Sequence, residues 1–126
     1  MDAYATYRTQ AATTASPAQL VLMLYDGALG QIDRAQRALV DGHHEQAHDA
    51  LTRAQAIVNH LSSTLDHERG GQIAGNLGSL YDFCSQQLVE ANLGKRGDGL
   101  PAVERVLRGL RDTWEVACVQ AEPVAV

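Results

Sequence analysis

The stretch Ile73-Ala74-Gly75-Asn76-Leu77-Gly78-Ser79-Leu80-Tyr81-Asp82-Phe83-Cys84-Ser85-Gln86-Gln87-Leu88-Val89-Glu90-Ala91-Asn92-Leu93 decides the fold. Its apolar residues Ile73, Leu77, Leu80, Tyr81, Cys84, Leu88 and Ala91 recur at spacings of three and four, the period of one helix face and not of a strand. Such a face has to be buried, so the segment predicts the central helix of a helical core. At about 100° per residue, Val89 and Leu93 fall on the opposite side. The helix thus presents a second apolar surface, available to something outside the core.

Toward the N-terminus, Asp66 to Gly71 is charged and then doubly glycine, which predicts a break. A helix before it carries Ala47, Ala50, Leu51, Ala54, Ile57, Val58, Leu61 and Leu65 as its stripe. A very short link at Asp41-Gly42, with glycine suited to a left-handed cap, joins it to an antiparallel first helix. That helix starts at Ser16-Pro17, where serine can cap the free N–H groups and proline fits the first turn. Its core face is Val21, Tyr25, Ala28, Leu29, Ile32, Ala35 and Leu39, while Leu20 and Met23 point elsewhere. Gly27 and Gly30 interrupt it and suggest close packing. Toward the C-terminus, Gly94 to Gly99 is a turn. A last helix begins near Pro101, with Val103, Val106, Leu107, Leu110, Trp114 and Ala117 on one face and Val116 and Val119 on the other. Glu122-Pro123 ends it.

Four amphipathic helices with short connections predict an all-α, antiparallel up-down-up-down four-helix bundle over residues 16–121. Residues 1–15 read as a loosely ordered arm and 122–126 as a tail. No stretch alternates with period two. The arm is rich in Ala and Thr, with Tyr4 and Tyr7 as its bulky groups. It is either a frayed terminus or a segment whose aromatics dock into an apolar groove.

A chain of 126 residues is one domain by length and long enough to build a core without disulfides or metals. Apolar residues make up 45% but only six are Phe, Trp or Tyr, the composition of packed helices. A formal charge of −5, with ten cations scattered among fifteen acids, argues against nucleic acid as a partner. Residues 1–14 hold no apolar run of a secretory signal, and Leu20 to Tyr25 is too short to span a bilayer, so a soluble cytoplasmic protein is expected. Cys84 and Cys118 read as small packing residues rather than catalytic thiols.

His44-Glu45-Gln46-Ala47-His48 matches the H-E-x-x-H zinc pattern, and Glu68 could supply a third ligand. It lies at the solvent-facing start of a helix with no sheet or cleft around it, so a polar helix start is the better reading. No phosphate loop, nucleophile elbow or catalytic triad is legible, and neither enzyme activity nor a cofactor is expected. Gly71 and Gly75 form a G-x-x-x-G, which in a soluble helix suggests close helix contact.

Three segments together resemble the FliS family of flagellin-specific export chaperones. They are Ser16-Pro17-Ala18-Gln19-Leu20-Val21-Leu22-Met23-Leu24-Tyr25-Asp26-Gly27; the region from Leu65 to Asn92 with Gly70-Gly71-Gln72-Ile73-Ala74, Asn76-Leu77 and Leu80-Tyr81-Asp82-Phe83; and Leu107 to Trp114. The resemblance implies a cytoplasmic helical bundle that binds the disordered C-terminal region of flagellin, prevents its premature polymerisation and helps deliver it to the flagellar export apparatus without ATP. Flagellar regulatory proteins are further candidate partners. Phe83 stands where the pattern expects tyrosine, and the chain after Glu115 carries no family signature.

A binding module has to cover the apolar stripe of its partner, as a groove that receives an amphipathic helix does. The expected partner-binding residues are Tyr4 and Tyr7 in the arm, Leu20 and Met23 on the first helix, Val89 and Leu93 on the third, and Val116 and Val119 on the fourth, with Arg108 and Asp112 nearby. The alternative use of such outward apolar residues is a homodimer.

Overall fold

The computed structural model describes residues 16–121. Among them are four helices and no strand: α1 (Pro17–Val40), α2 (His44–Ser63), α3 (His67–Gly94) and α4 (Leu100–Ala121). Turns of a few residues force each helix to run antiparallel to the one before it. The principal contacts are α1 with α2, α2 with α3, α3 with α4, and α1 with α4, which closes the up-down-up-down bundle.

Local chemistry fixes the boundaries. The Ser16 side chain accepts from the Gln19 N–H at 3.2 Å, and the Ser16 N–H donates to Gln19 Oε1 at 3.0 Å, a reciprocal cap with Pro17 as the first helical residue. Gly42, at φ +73°, makes the left-handed step that ends α1. At the end of α3 the left-handed residue is Lys95, φ 52°, and not one of the glycines around it. Its ammonium donates to the Asn92 carbonyl at 2.6 Å, which satisfies one of the free carbonyls of the last turn.

The core is a column of apolar side chains with no exposure worth counting: Ile32, Leu51, Val58, Leu61, Cys84, Leu88, Leu100, Val103 and Leu107. Between α1 and α2 the buried residues include Ala28, Ala35, Ala47 and Ala54. Small side chains let those two axes approach closely, and this is the most extensive helix contact of the bundle. No charged side chain is buried among the described residues.

Three expectations are corrected. First, Ile73 and Leu80 are not core residues; they are 72% and 37% exposed. The buried face of α3 is Ala74, Tyr81, Cys84, Leu88 and Ala91. Ile73 and Leu80 each precede a member of that face by one residue, which turns them about 100° away from it. Second, α3 begins at His67, not after Gly71. Asp66 caps it, accepting from the Arg69 N–H at 3.1 Å, and the helix bends at Gly71, whose φ 51°, ψ −124° only glycine adopts without strain. Third, Gly30 and Gly75 do not mark close helix contacts. A Cβ on Gly30 or Gly75 meets nothing within 4 Å. Two other positions are the crowded ones: a Cβ on Gly70 would lie 2.7 Å from that of Ala74, inside the bend itself, and one on Gly99 would come closer still to Gln87 Oε1 in the turn before α4.

Candidate partner-binding groove

The bend at Gly70-Gly71 opens a hollow at one end of the bundle. At that bend the first turn of α3 leaves the axis that Ala74 to Ala91 follow, and among the described residues a gap remains between the helix ends. The result is an open groove of about 630 Å³. Val21 and Tyr25 of α1 line it, with Leu61 and the Thr64-Leu65 segment at the end of α2. Asp66, Arg69, Gly70, Ile73, Ala74, Leu77 and Tyr81 contribute from α3 and its cap, and Leu110, Thr113, Trp114 and Ala117 from α4. The lining is mostly apolar, with one Asp and one Arg. Asp66 and Arg69 pair at 3.7 Å on the rim, both largely exposed.

The walls are held by polar contacts around an apolar interior. Trp114 Nε1–H donates to the Ala18 carbonyl at 2.8 Å, fixing the indole between α4 and the first turn of α1. One turn earlier on α4, Arg111 meets Asp26 of α1 at 2.7 Å, and also Asp112 and Glu115 of its own helix at 3.1 and 2.5 Å. The hydrogen bond to Asp26, then that to Asp112, hold the guanidinium charged beyond its already high range. Thr64 Oγ1 donates to the Leu61 carbonyl at 2.7 Å, so this polar end of α2 is satisfied internally.

The floor is made by two phenols. Tyr25 and Tyr81 reach toward each other from diagonally opposite helices, their hydroxyl oxygens 2.5 Å apart and each residue about 3% exposed. Burial raises the pKa of both, so both remain neutral. Cys84, one turn along from Tyr81, is fully buried and its thiol is pushed up to about 11 by desolvation. That is the opposite of an activated nucleophile.

The residues singled out from sequence fall elsewhere. Tyr4 and Tyr7 lie outside the described residues. Leu20 is 37% exposed and Met23 half-buried on α1, and neither lines the groove. Val89 is half-buried, not outward, whereas Leu93 and Val116 are exposed, at 83% and 56%. Val119 lies in α4, with its side chain outside the description. Antiparallel pairing keeps Val89 and Leu93 apart from Val116 and Val119. Leu93 sits at the turn into α4, whereas Val116 is sixteen residues past Leu100, about 24 Å along the helix. The two pairs do not form one groove. Val116 stands one turn beyond Thr113 on the same side of α4 but is not among the residues that line the groove. His44, Glu45, Gln46 and His48 are exposed while Ala47 is buried, and His48 Nδ1 lies 3.1 Å from Asn92 Oδ1, so its contact is with an amide of α3.

Periodicity did not find the groove because it sorts residues into buried and exposed, and a groove is neither. Two signals were present. Tyrosines on the core faces of α1 and α3 need partners for their hydroxyls. A Gly-Gly pair at the start of a helix marks a bend that leaves unfilled space.

A four-helix bundle with an open apolar groove, its polar groups spent on holding the walls, defines a helical binding module. Comparison with known proteins gives the family. The description "Flagellar protein FliS" matches residues 1–121. The flagellar secretion chaperone FliS of Salmonella typhimurium is 38% identical over 117 residues, covering 91% of this chain and 87% of the relative. That of Bacillus subtilis is 34% identical over 119 residues, covering 94% and 87%. A crystal structure of a bacterial flagellar chaperone superposes with a TM-score of 0.77 at 17% identity, covering 91% of this chain and 97% of the other, which supports the fold. The chain belongs to the FliS family of flagellar secretion chaperones, and is therefore not an enzyme. No described helix is long and apolar enough to cross a membrane.

Proposed function

We propose that this protein binds the C-terminal region of flagellin in the cytoplasm, prevents its polymerisation before export and helps hand it to the flagellar export apparatus. The observation that carries the proposal is the 630 Å³ apolar groove between the ends of the four helices. An amphipathic segment that later packs into a filament exposes an apolar stripe, and the groove offers that stripe a matching surface. A partner that orders only on docking gives up conformational entropy as it binds. Affinity is moderated accordingly, which suits cargo that must be released.

Val21, which lines the groove, lies about one and a half turns after Ser16, the residue that follows the arm in sequence. The same reading has Tyr4 and Tyr7 cover part of the groove when no flagellin is bound and move aside when it docks. Leu20, Met23 and Val116 then flank the docked segment, and Val89, Leu93 and Val119 are left for contacts further along the bundle, with the rest of flagellin, the export apparatus or flagellar regulatory proteins.

Trp114 is the single tryptophan and lines the groove, so the experiment needs no label. Titrating in a tryptophan-free C-terminal flagellin fragment should shift Trp114 emission to the blue and saturate at one fragment per chain. Emission that does not change while calorimetry detects binding moves the docking site away from the groove. An absence of binding removes the proposal.

A further inference from the structure

Among the described residues, Arg111–Asp26 is the ion pair that joins two helices; the others link residues no more than four apart within one helix or its cap. Arg111 reaches from α4 to α1, with Nε on Asp26 at 2.7 Å and Nη1 on Asp112 at 3.1 Å and Glu115 at 2.5 Å. Its side chain is 24% exposed against 50% or more for the three carboxylates, so one largely covered cation stands among three negative charges. The cluster adjoins the groove, because Arg111 follows Leu110 and Asp26 follows Tyr25, both lining residues. Three residues on, Trp114 donates to the Ala18 carbonyl and fastens α4 to α1 a second time. Toward α3 the attachment is weaker: among the described residues no side-chain hydrogen bond joins α3 to α4, and theirs is the least extensive of the principal helix contacts. The wall that α4 gives the groove is therefore set from α1.

We infer that Arg111 is a positioning residue, whose charge holds Asp26, Asp112 and Glu115 together and thereby fixes α4, with Trp114 on it, as the standing wall of the groove. For its effect on affinity, this rests on the docking of a flagellin segment proposed above. An exposed ion pair by itself contributes little, because its two partners separate into water at small cost. Here the cation has a second task. Without it, Asp26 on α1 faces Asp112 and Glu115 on α4 across the seam, and like charges push the two helices apart. A wall that has shifted must be ordered again on docking, which lowers affinity. Salt separates the two tasks. It weakens the attraction of opposite charges, whereas it relieves the repulsion among the carboxylates once Arg111 is gone.

The test uses Arg111→Gln, the double variant Arg111→Gln/Asp26→Asn and, as control, Asp33→Asn, which breaks the Arg37 pair within α1. In the free full chain, Trp114 emission and the exchange rate of its indole N–H report the wall, and calorimetric titration of a C-terminal flagellin fragment reports docking. Arg111→Gln should shift Trp114 emission to the red, speed indole exchange and weaken binding by about fivefold or more in dilute buffer. In about 1 M salt, where the Debye length is about 3 Å, its affinity should approach that of wild type in the same salt. The double variant has lost the carboxylate on α1 and with it the repulsion, so in dilute buffer it should bind more tightly than Arg111→Gln alone. Asp33→Asn should match wild type in every readout. Unchanged Trp114 signals in Arg111→Gln overturn the inference, as does a loss of affinity that neither salt nor Asp26→Asn relieves, the mark of a direct contact with the partner. If Arg111→Gln alone does not fold, folding of the double variant supports the inference, and failure of both overturns it. A wild-type chain that does not bind the fragment at all contradicts the proposed function, while the Trp114 readouts in the free chain still decide the role of Arg111.

Discussion

The two ends of this bundle are built from the same kinds of residue to opposite effect. At the end formed by the turns at Gly42 and at Lys95 to Gly99, Ala35, Leu88, Leu100 and Val103 are sealed in, with alanines drawing α1 and α2 together. At the other end, Val21, Leu77, Leu110 and Trp114 are only partly covered and Ile73 is mostly exposed. The difference comes from the backbone. One end closes with tight turns, whereas at the other Gly70-Gly71 bends α3 off the axis. Among the described residues the closed end buries its apolar side chains, and the open end leaves apolar surface uncovered.

The largest expected effect lies in the closed half. Leu88→Ala removes a fully buried side chain and should destabilise the bundle by about 2–5 kcal/mol. Chemical denaturation checks this, and an unchanged midpoint would place Leu88 outside the core.

The next effect is alkaline. Burial raises Cys84 from 9.0 to about 11, and raises Tyr25 and Tyr81 as well. A group whose folded pKa lies above its unfolded value stabilises fully below the unfolded pKa, and that contribution is lost as pH rises through the folded one. Stability should therefore fall between pH 9 and 11, by on the order of 2 kcal/mol from Cys84. Cys84→Ala should have lower stability at neutral pH but a flatter profile over that window, measured as denaturation midpoints at several pH values. Equal slopes would mean that Cys84 ionises as freely in the fold as in the unfolded chain.

Gly71→Ala tests the bend. Its φ 51°, ψ −124° is strained for alanine by about 1–3 kcal/mol, although a Cβ there meets nothing. The variant should melt lower and also bind partner more weakly, because straightening α3 narrows the groove. A loss of stability with binding unchanged would separate the bend from the groove.

How much of this was legible in the sequence varies along α3 itself. Tyr81, Cys84, Leu88 and Ala91 were readable as core from spacing alone, and so were the Ser16 cap and the Gly42 turn. Ile73 and Leu80 were misread because a stripe about 100° wide admits neighbours at its edge, and only packing decides which side they join. The outward pairs were correctly sensed at Leu93 and Val116. Chain proximity suggested that Val89–Leu93 and Val116–Val119 adjoin, whereas antiparallel helices bring together residues equidistant from the turn. The groove needed three dimensions, since it draws on all four helices and on residues as distant as Val21 and Ala117.

The most direct measurement compares two surface variants for binding of a C-terminal flagellin fragment by calorimetry, with thermal midpoints as the control for folding. Ile73→Glu/Ala117→Glu puts charge on two exposed residues inside the groove, and Leu93→Glu puts charge on an exposed residue outside it. Surface substitutions of this kind change stability by about 0.5 kcal/mol or less, so all three proteins should melt alike. Docking in the groove predicts at least a tenfold loss of affinity for the groove variant and wild-type affinity for Leu93→Glu. Wild-type affinity for the groove variant, with the loss appearing at Leu93→Glu instead, would contradict it and move the binding surface to the closed end.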